Sequence, residues 1–279
     1  MRGVEAVREA FRRARAERRA ALVLYWPVGY PDLEASIRIV GLLARAGADL
    51  IELGLPFSDP LADGPVIQRA VHRALQAGFR TPQILEVLAR LRAEGVGIPL
   101  CLMSYVNPLL AAGLPGFLEE AARAGADGLI VPDLPLEEAE AMRTAAGAAG
   151  LAWIPLAAPT TPDERLARIA ATATGFLYLV SVTGITGVRD RLPEEVVAHL
   201  RRARRHAGGV PVAVGFGISR PDHAAGLAPE ADGLVVGSAL IRHAEACGFD
   251  EASLAAFVRA MRAAAARPDE GLSSARGPG

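Results

Sequence analysis

The chain has 279 residues, 51% of them hydrophobic and 22% charged, with 30 basic side chains against 31 acidic ones and a net charge of −1. That balance gives no electrostatic case for nucleic acid or an anionic membrane surface, and no apolar run reaches the roughly 18 residues a membrane helix needs. All 30 basic residues are arginine, which excludes lysine Schiff-base aldol chemistry, covalent pyridoxal phosphate and a Walker A loop.

Met1 to Arg19 mixes Arg, Glu and Ala without the apolar centre of a secretory signal and reads as a leading helix, Val4–Arg19. Short Val/Ile/Leu-rich runs then recur, predicting strands at Ala21–Pro27, Asp49–Pro56, Ile98–Tyr105, Gly128–Pro132, Leu151–Ala157, Phe176–Val182, Pro211–Gly215 and Gly233–Val236. Helical stretches alternate with them: Leu33–Ala46, Pro65–Ala77 with Pro82–Glu94, Pro115–Ala124, Leu136–Ala148, Pro162–Thr172, Pro193–His206, Pro221–Leu227 and Asp250–Ala265. Several open on Pro and close on Gly, as helices do at their two ends.

Strands alternating with helices imply parallel pairing through right-handed crossovers, which an open doubly wound sheet and a closed barrel both satisfy. Eight such units in about 250 residues match the (β/α)8 barrel, with the leading helix closing its bottom. Ala46-Gly-Ala-Asp49, Ala124-Gly-Ala-Asp127 and the shorter Ala231-Asp232 read as one turn feeding successive strands. The expectation is a single barrel domain over residues 1–267 and a disordered tail over 268–279.

Barrel active sites lie at the carboxyl ends of the strands. In the second strand, period-two alternation places Ile51, Leu53 and Leu55 on one face and Leu50, Glu52 and Gly54 on the other. The branched face meets the helices, so Glu52 turns into the barrel, where a carboxylate needs either an ion-pair partner or a chemical task. The loop that follows carries Asp59 and Asp63 in Asp-Pro and Asp-Gly turns, and either can be a turn former or a second carboxylate of the site. Three Gly-containing segments end three consecutive late strands, Thr183–Gly187, Gly215–Ser219 and Gly237-Ser238. Their backbone N–H groups suit a phosphate, which needs no lysine there.

The remaining features read as structural. His72, His199, His206, His223 and His243 lie on helical stretches without clustering, so no metal site is expected. The arginines of Arg12–Arg19 and Arg201–Arg205 read as solvated helix faces. Trp26 and Trp153 read as packing residues. Cys101 and Cys247 are too few for a disulfide framework, and a reduced, cytoplasmic setting is the expectation.

The segment Glu52-Leu-Gly-Leu-Pro-Phe-Ser-Asp-Pro-Leu-Ala-Asp63-Gly-Pro closely resembles the signature of the tryptophan synthase α chain family. Gly29-Tyr-Pro31, Met103-Ser-Tyr-Val-Asn-Pro108, Pro132-Asp-Leu-Pro135, Ser181–Gly187, Gly215–Ser219 and Gly237-Ser238 resemble it too, in order along the chain. The resemblance implies a TIM barrel that cleaves indole-3-glycerol phosphate to indole and glyceraldehyde 3-phosphate without Schiff base or metal. It implies Glu52 as the general acid/base and Asp63 as the partner of the indole N–H. Tyr178 and Tyr105 fall at substrate-binding positions, and Tyr105 and Asp133 around the indole and the partner interface. Gly187, Phe216, Gly217, Gly237 and Ser238 would contact the phosphate, and Thr186 would reach the loop near Asp63. No cofactor is implied in this chain; pyridoxal phosphate belongs to a β chain, expected in an α2β2 heterotetramer that receives the indole. An alternative is a catalytically weak barrel acting as an allosteric binding partner of that β chain; a sugar-phosphate isomerase or epimerase would leave the Glu52–Pro65 motif unexplained. The sequence departs from the family pattern at Tyr25-Trp26-Pro27-Val28, where smaller residues are usual, and bulky Trp26 near the strand end is expected to alter the pocket or the docking of the partner.

Overall fold

The computed structural model describes residues 1–180, 194–215 and 217–267. Helix α1 (Gly3–Ala16) leads into β1 (Ala21–Pro27), α2 (Leu33–Ala46), β2 (Leu50–Gly54), α3 (Pro65–Gln76), α4 (Gln83–Ala93) and β3 (Leu100–Met103). Next come α5 (Val106–Ala112), α6 (Gly116–Ala124), β4 (Gly128–Ile130), α7 (Glu140–Ala148), β5 (Ala152–Trp153) and β6 (Leu156–Ala157). The chain continues through α8 (Asp163–Thr172), β7 (Leu177–Val180), α9 (Glu194–His206), β8 (Val212–Gly215), α10 (Pro221–Leu227), β9 (Gly233–Val236), α11 (Ser238–Ala246) and α12 (Glu251–Ala264).

The strands run parallel in the order β5-β4-β3-β2-β1-β9-β8-β7-β6. The two terminal strands in that order are consecutive in sequence, two halves of the single stretch expected at Leu151–Ala157. Pro155 has no N–H for a ladder bond, which divides the stretch. Ile154 N–H still reaches Leu129 O at 3.1 Å, and Pro155 O accepts from Tyr178 N–H at 3.0 Å. The broken strand therefore joins the two edges, and the nine segments form the eight staves of a (β/α)8 barrel.

Two apolar layers follow from strand alternation. Inside the barrel, Ala21, Val23, Leu50, Cys101, Ile130, Ala152, Ile154, Phe176, Tyr178, Ala213 and Val235 pack together with Val7, Phe11 and Ala14 of α1. Helix α1 thus plugs the bottom, its Phe11 ring 5.0 Å from that of Phe176. Ile51, Leu53 and Leu55 belong to the larger layer between strands and helices.

The Ala-Gly-Ala-Asp repeat has a definite task. Asp49 N–H donates to Leu22 O at 2.8 Å while its carboxylate accepts from Leu22 N–H at 2.8 Å. Asp127 makes the same pair of bonds with Leu100 and Asp232 with Val212. Each aspartate brackets one residue of a neighbouring strand at the barrel bottom, fixing the register there, and each is met by arginine. Asp49 receives Arg19 through two bonds of 2.5 and 2.8 Å and Arg262 at 3.2 Å. Asp127 receives Arg92 at 2.6 Å and Arg2 at 3.3 Å.

Three local expectations are corrected. Helix α7 begins at Glu140 rather than Leu136, because residues 135–139 form two overlapping four-residue turns, with Glu138 N–H on Pro135 O and Ala139 N–H on Leu136 O. Helices α5 and α11, in short connections after β3 and β9, were not anticipated. Trp26 does not enter the barrel mouth. It is buried in the outer layer, 6.0 Å from the Tyr30 ring, with its indole N–H on Tyr30 O at 3.0 Å. The tail expected to be disordered, 268–279, lies outside the described residues.

Candidate active site at the carboxyl ends of the strands

Glu52 stands on β2 among buried neighbours, 0% exposed, and neither carboxyl oxygen has a hydrogen-bond partner among the described residues. Among the described residues, Glu52 has none of the salt bridges that a barrel carboxylate invites. Removal from water without compensation penalises the ionised form, and the Glu52 pKa is pushed up to about 8. At neutral pH this side chain carries a proton.

Asp63 lies in the loop between β2 and α3, its backbone N–H bonded to Pro60 O at 3.0 Å. Burial raises its pKa to about 6, and a hydrogen bond from the Tyr105 hydroxyl partly opposes that rise. Tyr105, at the end of β3, also accepts from Ala62 N–H at 3.0 Å and packs its ring 5.5 Å from Phe57. One phenol therefore ties the second-strand loop through Ala62 and lowers the pKa of the neighbouring Asp63 against the effect of burial. Asp133, after β4, accepts from Val106 N–H at 3.0 Å and so holds the start of α5 beside this loop.

Two further tyrosines belong to the same end of the barrel. Tyr178 on β7 is buried, stacked on Phe176 at 6.1 Å. Burial above all, with the nearby Asp63 carboxylate, raises the pKa of its hydroxyl. Tyr25 on β1 is the register neighbour of Glu52 and feels Asp63, Tyr105, Glu52 and Tyr178. A Cβ built on Gly54 would stand 2.2 Å from the Tyr25 hydroxyl and 2.5 Å from its ring, so only glycine lets this ring lie across β2. Tyr25 was missed in the sequence. The period-two rule applied to Glu52 also places residues 21, 23 and 25 on the inner face of β1.

Of the phosphate-contact candidates, Gly217, Gly237 and Ser238 are described, while Gly187 and Phe216 are not, nor is Thr186. Gly217 has φ +48, a backbone conformation that suits glycine, in the turn between β8 and α10. Gly237 caps α11 and Ser238 is its first residue, so unpaired N–H groups and the positive end of a nine-residue helix lie beside β9 at the mouth. A Cβ on Gly237 would approach the Tyr25 Cβ to 3.2 Å, which places the helix start against the tyrosine that neighbours Glu52. No group of three or more His, Cys, Asp or Glu side chains suited to a metal occurs among the described residues.

The family model for the tryptophan synthase alpha chain matches residues 11–266. The tryptophan synthase alpha chain of Carboxydothermus hydrogenoformans is 52% identical over 83% of this chain and 85% of its own length. That of Chloroflexus aurantiacus is 47% identical over 94% and 99%. Among solved structures, Mycobacterium tuberculosis tryptophan synthase superposes with a TM-score of 0.87 at 35% identity, covering 94% of this chain and 98% of that one. The tryptophan synthase alpha subunit of Legionella pneumophila gives 0.85 at 36% identity, over 95% and 98%. With a family model spanning nearly the whole barrel and relatives of this identity, the chain belongs to the tryptophan synthase alpha chain family.

Proposed function

We propose that Glu52 and Asp63 are the two carboxyl groups with which this chain performs the reaction of its family, cleavage of indole-3-glycerol phosphate to indole and glyceraldehyde 3-phosphate. The observation that carries the assignment is the burial of Glu52 on the inner face of β2 with neither carboxyl oxygen partnered among the described residues. The reaction needs a proton delivered to the indole carbon that bears the glycerol chain. It also needs a proton removed from the adjacent hydroxyl as the carbon–carbon bond breaks to give an aldehyde. Glu52 donates the first and, once ionised, accepts the second, so it ends the cycle as it began. Protonating the ring carbon leaves positive charge at the ring nitrogen, and an ionised Asp63 accepts the indole N–H and stabilises that charge. Such a fixed carboxylate acts more strongly in a site shielded from water. A positioned proton donor contributes about 10²–10⁴-fold.

Tyr178, Tyr105 and Tyr25 wall the indole pocket, and Gly217, Gly237 and Ser238, with Gly187 and Phe216, bind the phosphate through backbone N–H groups. The α11 start is the physical support for that placement. We further propose that the chain works in the cytoplasm in an α2β2 assembly, passing indole to a pyridoxal-phosphate β chain.

The test measures release of glyceraldehyde 3-phosphate with and without a β chain, for wild type and Glu52→Gln. Activity that rises with the β chain and collapses in the variant supports both the lyase and its acid/base residue. Full activity in Glu52→Gln removes Glu52 from the role. A wild type that stays silent with the β chain bound favours the binding-partner reading. The pH profile is a second check: Asp63 must be ionised and Glu52 protonated, so kcat/KM should fall below about pH 6 and above about pH 8.

A further inference from the structure

The arginines of α1 are more than a solvated face. Arg8, Phe11, Arg12 and Arg15 recur at helical spacing and line one wall of a cavity of about 460 Å³ at the barrel bottom, away from the Glu52 mouth. The opposite wall is Ala173–Gly175, between α8 and β7, and Gly208–Pro211, between α9 and β8. Arg19, Arg267 and Asp232 form the remainder, so the lining carries five arginines and one acid. A Cβ on Gly208 or Gly209 would meet nothing within 4 Å, which leaves that wall open.

The five arginines divide into two groups. Arg19 and Arg267 are committed to Asp49 and Asp232 and hold the barrel bottom together. Among the described residues, Arg8 and Arg12 form ion pairs with Glu5 and Glu9, each at 3.2 Å, between side chains that are 45–60% exposed. Arg8 also donates to Thr174 O at 3.1 Å, which draws it across the cavity toward the opposite wall. Arg15 has no ion pair among the described residues. Exposed pairs like those of Arg8 and Arg12 are weak and yield readily to a stronger acceptor. Guanidinium groups bind phosphate oxygens in pairs of parallel hydrogen bonds, and a cavity of this size takes a small molecule.

We propose that this cavity is an anion site, separate from the catalytic mouth, for a small ligand carrying two or more phosphate groups held by Arg8, Arg12 and Arg15. Phe11, Val210 and Pro211 supply an apolar wall for an organic body attached to those phosphates.

Calorimetry on the full chain would use inorganic diphosphate and ADP as probes, with saturating glyceraldehyde 3-phosphate present to occupy the substrate's phosphate site. The expected result is one equivalent of diphosphate bound, at least tenfold more weakly in Arg12→Gln/Arg15→Gln, with turnover of indole-3-glycerol phosphate unchanged. Tighter binding of ADP than of diphosphate marks a ligand with an organic body, and equal binding marks a bare oligophosphate. Arg15→Gln alone, at an exposed position without an ion pair among the described residues, should weaken binding about threefold, which keeps the test decisive if the double variant folds poorly. The proposal is overturned if diphosphate does not bind, if glyceraldehyde 3-phosphate abolishes the binding, or if the arginine variants leave the affinity unchanged. The arginine variants report on this cavity whether or not the substrate assignment stands.

Discussion

The two ends of the barrel treat buried carboxylates in opposite ways. Asp49 and Glu52 are three residues apart on the same stave, both almost fully buried. At the bottom, Asp49 is enclosed by Arg19, Arg262 and the N–H of Leu22. At the top, Glu52 has no partner among the described residues. A carboxylate surrounded by donors fastens strands together. One stripped of donors keeps its proton, which makes it available for transfer. Burial alone therefore does not separate a structural acid from a reactive one. The donors around it do.

The comparison breaks most sharply at Glu52. Glu52→Gln should lower the rate of cleavage by about 10²–10⁴-fold. The fold should not suffer, because the amide carries no charge to desolvate. The pH dependence of stability sharpens this: a carboxyl raised from 4.5 to about 8 binds more protons folded than unfolded. Wild type should therefore lose stability steadily as pH rises from about 4.5 to about 8 and level off above it, and the variant should lack that decline. Urea titrations across the range read the difference, and parallel curves for the two proteins refute it.

Asp49→Asn should do the reverse. Arg19, nearly buried, would then keep only the exposed carboxylate of Glu17 at 2.8 Å, and the loss should approach about 3 kcal/mol by denaturant unfolding. The kcat of the folded fraction should stay near wild type, because Asp49 lies at the far end of the strand from the chemistry. A fall in kcat with unchanged stability would erase the distinction between the two ends.

Gly54→Ala is a smaller perturbation, directed at the top alone. Its methyl meets the Tyr25 hydroxyl and ring, an overpacking cost of about 1–3 kcal/mol. Gly54→Ala/Tyr25→Phe removes the closest atom and should recover part of both stability and activity. No recovery would mean that Tyr25 is not what Gly54 accommodates.

Tyr105→Phe should have the least effect. Losing the bond from Ala62 N–H costs about 1 kcal/mol. Losing the hydroxyl's hydrogen bond to Asp63 removes what lowers that pKa, so the acid limb of kcat/KM should move upward from about pH 6. A limb that stays in place would detach Tyr105 from Asp63.

Much of this was legible in residue order. Alternation in Leu50–Gly54 pointed Glu52 inward, and all eight expected strand positions hold strand in the structure. The Ala-Gly-Ala-Asp repeat announced a recurring turn, but that each aspartate grips a neighbouring strand required the strands to be adjacent. Tyr25 was hidden by its company: within Ala21–Pro27 every residue is buried, so hydrophobicity does not distinguish the inner face from the outer. The helical start at Ser238 was obscured by the glycine before it, which read only as a loop.

Periodicity and turn chemistry are local properties, and they determined the alternating units, a count of them that matches a barrel, and the inward aim of Glu52 before any contact was known. Whether Glu52 would be paired, which tyrosines surround it, and which arginines serve aspartates rather than facing the bottom cavity depend on side chains far apart in sequence. Those were decided by closure of the barrel, because a carboxyl's protonation state depends on the donors that surround it in space, and residue order alone does not specify them.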